Sequence, residues 1–353
     1  MPAAFVKTLL SQDEVDGGDG DWPHLCLKQF DIDGDGALNF SEFESLCNTL
    51  FVKADGKPYN DIEKDIEFIF TQLDQDKDAK LNESEMKTIF NTWLKQVLKP
   101  RSALLIVDVQ NDFITGSLKV QDAEDVIPII NRILETFRFD TVGYTRDWHP
   151  PNHISFADNV KKHPVDPSSP ISAEDAKLLD TVVFSGPPRM EQILWPTHCV
   201  QETFGAAFHK NLKLNGHTDM FHIKKGIHCH MDSYSAFCDN AHQTKSDLAN
   251  ELAKRDITTV YICGLAMDFC VGYTAQDAID IGLTAFVVED ATKPVDLESQ
   301  KSMREKLDNC RCPFIKSNEL SGLLSRTHIP PSVGLHAAKR LSSTITSHDH
   351  HHP

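Results

Sequence analysis

Apolar residues are spaced in two different ways along the 353-residue chain. Up to about residue 98 they recur every three or four positions, the period of a helix with one buried face. FSEFESLCNTLF (40–51), DIEKDIEFIFTQL (61–73) and ESEMKTIFNTWLKQVL (83–98) carry that pattern, and no convincing strand interrupts them. Lys99-Pro100 ends it, because proline has no N–H with which to continue a helix. From Ala103 the grammar changes. ALLIVDV (103–109) is a short, continuous apolar run, as a strand buried on both faces requires. A helix over 125–137 and strands over 139–148 and 220–225 follow. Helix 246–255, strand 257–265, helix 268–282 and strand 283–290 complete the alternation. Strands alternating with helices predict an α/β fold with a parallel sheet, here behind a helical domain. In such sheets ligands sit at the carboxyl ends of the strands. The Pro- and Ser-rich stretch 156–191 reads as an excursion over the sheet edge or the mouth of a site.

The domains expected from this are an N-terminal segment 1–19, a helical pair 20–98, an α/β domain 101–334 and a disordered tail 335–353 ending HDHHHP. No run of 18 apolar residues occurs, so no membrane-spanning helix is expected, and the N-terminus is too weakly apolar for a signal peptide. Nine scattered cysteines read as reduced thiols of a cytoplasmic protein, with nothing to separate cytoplasm from nucleus. The net charge of −17 argues against nucleic acid and anionic membrane as partners. Residues 1–100 hold 10 Lys+Arg against 20 Asp+Glu, so −10 of that charge falls in under a third of the chain. Such a concentration suggests a tail, a solvated face or a cation site.

DIDGDGALNFSE (31–42) reads as the cation site. Oxygen ligands fall at Asp31, Asp33, Asp35, the Ala37 carbonyl, Asn39 through water, and Glu42, with Gly36 at the sharp turn and Leu38 facing a partner loop. That is the twelve-residue EF-hand pattern, which gives Ca²⁺ its six to eight oxygens. DQDKDAKLNESE (74–85) repeats it with Asp74, Asp76, Asp78, the Lys80 carbonyl, Asn82 and Glu85. Its departure is Ala79 in place of the turn glycine. A Cβ at positive φ costs roughly 1 kcal/mol or more, so weaker binding is expected there.

In the second domain the candidates are jointly informative. Asp108 closes the first strand, with Gln110, Asp112 and Phe113 behind it. Asp147 and His149 alternate at the end of the second, so both can point one way. His198 in WPTHCV (195–200) adds an imidazole, and one carboxylate with two imidazoles suits Zn²⁺, Fe²⁺ or Mn²⁺. His153 is either a fourth ligand or a supporting donor. Cys270 lies in the first turn of a helix, where local N–H groups favour a thiolate and an oxyanion.

ALLIVDVQNDF (103–113), TRDWHPPNHISF (145–156), ILWPTHCV (193–200), the IKKG–YSAF stretch (223–237) and GLAMDFCV (264–271) together resemble the isochorismatase-like cysteine hydrolases, and within them the nicotinamidases. The resemblance spans 103–290 in order, and the EF-hand pair in front is similar to the animal type. It implies hydrolysis of nicotinamide to nicotinate and ammonia through a Cys thioester, in NAD salvage. It places the catalytic roles on Asp108, Lys225 and Cys270. Lys225 is preferred to Lys224 because the family's lysine precedes a glycine. It assigns Asp147, His149 and His198 as metal ligands and Phe113 and Trp195 as the aromatic pair that holds the pyridine ring. It also implies a cis Leu265–Ala266 peptide, with the N–H groups of Ala266 and Cys270 as the oxyanion hole. A homo-oligomer remains open. The rival readings are a family member acting on N-carbamoyl or ureido substrates, and a calcium-binding regulatory protein with an inert hydrolase domain.

Overall fold

The computed structural model describes residues 5–6, 22–214 and 219–348. Most of the expected N-terminal segment, the first two residues of the expected helical pair and the last five of the chain lie outside the described residues. The chain divides into two compact units. One comprises 1–101, 282–284 and 318–353; the other comprises 102–281 and 285–317. No helix among the described residues is long and apolar enough to cross a membrane.

In the first unit, helices Trp22–Phe30 and Phe40–Leu50 flank one acidic loop. Helices Glu63–Leu73 and Glu83–Ile89 flank the other, and the last continues through a π-turn into Lys95–Leu98. Asn39 and Glu42 form a reciprocal capping box that starts the second helix. The two loops meet through three-residue strands that the periodicity did not show, β1 (Ala37–Asn39) and β2 (Lys80–Asn82), paired antiparallel. Leu38 opposes Leu81, and both side chains are fully buried. Phe43, Phe70 and Trp93 pack beneath them, with ring centroids 5.5–5.8 Å apart.

The expected disordered tail is corrected by the structure as far as residue 348. Pro331–His348 is a helix of the first unit, and Val333, Leu335, Ala337 and Ala338 on it are buried. The Trp93 indole N–H donates to the Gly334 carbonyl at 2.8 Å. Small residues let this helix approach closely. Small residues also carry little hydrophobic signal, which is why the segment reads as featureless. Gly334 tests the packing. Alanine normally gains up to about 1 kcal/mol over glycine inside a helix. A Cβ here would lie 2.3 Å from Cζ of Phe51. Overpacking of about 1–3 kcal/mol outweighs that gain, so Gly334→Ala should lower the denaturation midpoint of this unit in a chemical melt.

The second unit is built on β3 (Ser102–Val107), β4 (Thr141–Asp147), a hairpin of β5 (Thr181–Phe184) and β6 (Met190–Ile193), then β7 (Met220–Lys225), β8 (Thr259–Leu265), β9 (Thr284–Lys293) and β10 (Phe314–Ile315). The main sheet is six-stranded and parallel, in the order β10-β9-β8-β3-β4-β7. Every residue of β3 is buried, as its unbroken apolar run requires. From β3 the chain builds one way through β4 and β7, then returns to build the other way through β8, β9 and β10. The order therefore reverses between β3 and β8, and a crevice opens at their carboxyl ends. The excursion 156–191 supplies the β5–β6 hairpin, whose Val182 and Phe184 share a small separate core with Ile154, Val160 and Leu194.

Candidate active site and cation loops

Asp108 follows β3, Asp147 ends β4, Lys225 ends β7 and Cys270 follows β8. Parallel strands put these ends on one rim. Strand alternation selects the lysine. Along β7 Phe221, Ile223 and Lys225 are buried while Met220, His222 and Lys224 are exposed. Lys224 instead lies with its ammonium 4.1 Å from the centre of the Trp148 ring. Lys225 Nζ donates to Cys270 Sγ at 3.2 Å and to the Ser233 carbonyl at 3.0 Å. It contacts Asp108 Oδ2 at 2.9 Å and Asp147 Oδ1 at 2.5 Å.

Asp108 is fully buried, at φ 51°. Its Oδ1 accepts from Thr145 Oγ1 at 2.6 Å, and Oδ2 faces the Lys225 ammonium. Asp108, Asp147 and Cys270 have reactive atoms within 4.8 Å of one another. Burial raises the proton affinity of Asp108, only partly opposed by Lys225. Burial also pushes the Cys270 thiol well up; Lys225 opposes this and the two carboxylates add to it. The thiol is therefore protonated at rest, beside a carboxylate whose own affinity for a proton is raised. Lys225 keeps its charge despite burial because Asp108 and Asp147 flank it.

Beside this group, Asp147, His149 and His198 also converge within 4.8 Å. His149 Nδ1 is 2.8 Å from the Gly226 carbonyl and His198 Nδ1 is 2.7 Å from the Pro196 carbonyl. Nδ1–H donation to those carbonyls leaves the lone pair on each Nε2, the arrangement that outer partners impose on metal-binding histidines. The Nε2 atoms lie 3.4 and 3.7 Å from Asp147 Oδ2. Ligands about 2.1 Å from a tetrahedral ion stand roughly 3.4 Å apart, so this trio fits a divalent metal. Burial disfavours a charged His149, but Asp147 more than offsets that, and a divalent ion would take the place of the proton drawn there. His153 is differently engaged. Its Nδ1 meets Ser155 Oγ at 2.7 Å and its Nε2 meets the Met231 carbonyl at 3.2 Å, so both nitrogens have protein partners. Gln110 ties the rims together: its amide donates to the Asp147 carbonyl and accepts from the Asp147 N–H.

Cys270, Ala266, Phe113, Trp195 and His198 line one cavity of about 380 Å³, open at its mouth. Tyr234 and Phe269 complete its aromatic wall. The Trp195 indole donates to Tyr234 Oη at 3.3 Å, and the Phe269 ring meets the rings of Trp195 and Tyr234 at 5.0 and 5.2 Å. The Leu265–Ala266 peptide at the cavity floor is cis. Thr145, Tyr234 and Phe269 were missed in the sequence. Thr145 could have been found, since it precedes Asp147 by two on the same face of β4; nothing distinguishes the two aromatic residues.

The cation loops of the first unit have matching conformations. In one, Asp31 accepts from Gly34 N and Gly36 N, and Glu42 accepts from Ile32 N and Asn39 N. In the other, Asp74 accepts from Ala79 N, and Glu85 accepts from Gln75 N and Asn82 N. Gly36 stands at φ 86° and Ala79 at φ 66°, so Ala79 does carry the left-handed strain. Lys80 also pairs across the loops with Asp35.

The isochorismatase domain profile matches residues 102–319, and the EF-hand domain pair profile matches 24–91. The chain belongs to the isochorismatase family. It is 44% identical over 197 residues to the nicotinamidase of Acinetobacter baylyi, covering 55% of this chain and 82% of that one. The solved nicotinamidase and pyrazinamidase of Acinetobacter baumanii superposes with a TM-score of 0.54 at 39% identity, over 63% of this chain and 98% of the other. PnC1 of L. infantum, solved in complex with nicotinate, gives 0.50 at 31% identity, over 62% and 94%.

Two substitutions test the local geometry. A Cβ on Gly226, at φ 62°, would lie 2.3 Å from the His149 ring. Gly226→Ala should therefore reduce the metal retained by purified protein, read by elemental analysis. Ala79→Gly removes a strain of about 1 kcal/mol, so calorimetric titration should show the second loop binding Ca²⁺ about fivefold more tightly.

Proposed function

We propose that this chain hydrolyses nicotinamide to nicotinate and ammonia with Cys270 as nucleophile, Asp108 as proton carrier and Lys225 as the cation that holds both. The observation that carries the reading is the meeting of Lys225 and Asp108 with Cys270, which lines an aromatic cavity together with Asp147 and His198 of the metal-type trio. Similarity to proteins named as nicotinamidases, one of them solved with nicotinate, supports the same substrate.

The steps follow from the geometry. Asp108, with a carboxylate oxygen within 4.8 Å of Cys270 Sγ, takes the thiol proton as the sulfur attacks the amide carbon. The carbonyl π electrons move onto oxygen, and the N–H groups of Ala266 and Cys270 stabilise the oxyanion, worth about 3–4 kcal/mol per donor. Asp108 then gives its proton to the nitrogen as the C–N bond breaks, and ammonia leaves a thioester. Asp108 next takes a proton from the water that attacks that thioester. The C–S bond breaks, nicotinate leaves and the thiol is restored. Lys225 neutralises Asp108 and Asp147 throughout, so that neither is expelled from a buried site. Phe113 and Trp195 clasp the ring. Asp147, His149 and His198 would hold a divalent ion, zinc or else iron or manganese, which would supply Lewis-acid chemistry beside the ring. We read the reaction as a step of NAD salvage in the cytoplasm or nucleus, and the two EF-hand loops as Ca²⁺ sites through the twelve positions named above.

Chromatography of nicotinamide incubated with the protein tests this directly. Nicotinate should form, and Cys270→Ala should abolish it. Lys225→Ala should cost at least about a hundredfold in kcat, on the scale of losing an oriented charge in a closed site, while Lys224→Ala stays near the unsubstituted rate. Unchanged turnover in Cys270→Ala removes the nucleophile and with it the proposal.

A further inference from the structure

A second group of metal-type donors stands outside the cavity. Cys238 Sγ lies 3.1 Å from His242 Nδ1 and 3.1 Å from Asp277 Oδ2, and the three donor atoms fall within 4.8 Å of one another. Cys238 and Asp277 are buried, while His242 reaches solvent. Two separate pieces of chain bring them together. Asp277 sits on helix Gly272–Asp280, which continues from the turn holding Cys270. Cys238 and His242 sit on a tight loop closed by pairing of Cys238 with Lys245.

That loop is built to hold the imidazole in place. Asp239 accepts from the N–H groups of Ala241, Gln243 and Thr244, so its carboxylate is committed to the backbone. His242 takes a left-handed φ of 55°, an uncommon conformation for histidine, and its N–H donates to the Asp239 carbonyl. The result is an imidazole and a carboxylate aimed at the same sulfur. A catalytic triad needs the acid on the far nitrogen of the histidine; here the acid meets the sulfur instead. Convergence on one point is what a metal asks of its ligands.

We infer that Cys238, His242 and Asp277 form a site for a borderline-soft divalent cation, Zn²⁺ foremost, distinct from the Asp147–His149–His198 trio. The donor set of one thiolate, one imidazole and one carboxylate selects zinc over the hard cations that suit the EF-hand loops. A tetrahedral ion with Zn–S about 2.3 Å and Zn–N or Zn–O about 2.0–2.1 Å separates its ligands by roughly 3.5 Å. The two spacings to the sulfur thus need to open by only a few tenths of an ångström. Without a cation the thiol holds its proton, pushed up to about 12 by burial and by the hydrogen bond to Asp277. Binding releases that proton to solvent as the S–metal bond forms. The cavity beside Cys238, of about 340 Å³ and open to solvent, leaves room for a water as fourth ligand. An ion here fastens the 238–245 loop to the helix that carries Asp277.

Cobalt(II) tests this because only a thiolate ligand gives an intense near-ultraviolet sulfur-to-cobalt charge-transfer band. The titration uses metal-free, full-length protein carrying Cys270→Ala, so that the active-site thiol contributes nothing. Cobalt added beyond the equivalent that the Asp147–His149–His198 trio takes should develop the band, and zinc should bleach it. Adding Cys238→Ser should abolish it. Adding His242→Ala, on an exposed side chain whose loss spares the fold, should weaken cobalt binding at least about a hundredfold, the upper range for losing a mere supporting contact. Absence of the band overturns the proposal, as does an undiminished band with Cys238→Ser or unchanged affinity with His242→Ala.

Discussion

One buried ammonium organises the hydrolase unit. Lys225 is almost wholly sequestered from water, and it touches two carboxylates, a thiol and a backbone carbonyl. Removing one member of such a buried cluster typically costs about 3–5 kcal/mol because an uncompensated charge is left behind. Lys225, the two carboxylates and the thiol come from the ends of four different strands, so the cluster also pins the register at the rim of the sheet. Gly226, the residue after the lysine, lets its own backbone turn under the His149 ring, and its carbonyl fixes the tautomer of that histidine. The thiol chemistry and the metal-binding trio thus share one support and are not independent modules.

The alternation of strands and helices in the second unit was legible because a buried parallel strand needs an unbroken apolar run, as in ALLIV of β3. Strand β7 matched its expected limits residue for residue, and its alternation alone separates Lys225 from Lys224. Asp108, Cys270 and the trio were legible because strand ends are where such a sheet displays chemistry. Less could be seen where the signal depends on partners distant in sequence. Tyr234 and Phe269 become cavity walls only once a loop and a helix turn are folded against Trp195. The 156–191 stretch gave no strand pattern because its hairpin buries only a few residues in a satellite core.

The cation loops show the same division. Their ligand spacing is local, so it could be read directly, down to the strained Ala79. The helix Pro331–His348 depends on a remote surface and could not. It is rich in small residues whose value lies in close approach rather than in hydrophobicity, and the aromatic residues that receive Gly334 are 241 or more positions away in sequence.

That helix has a consequence for what the EF-hand pair can do. Pairs of this kind can grip an amphipathic helix in an apolar groove. Here Trp93 and Phe51 already receive a helix from the same chain. An outside helix reaches Trp93 and Phe51 only by displacing this one.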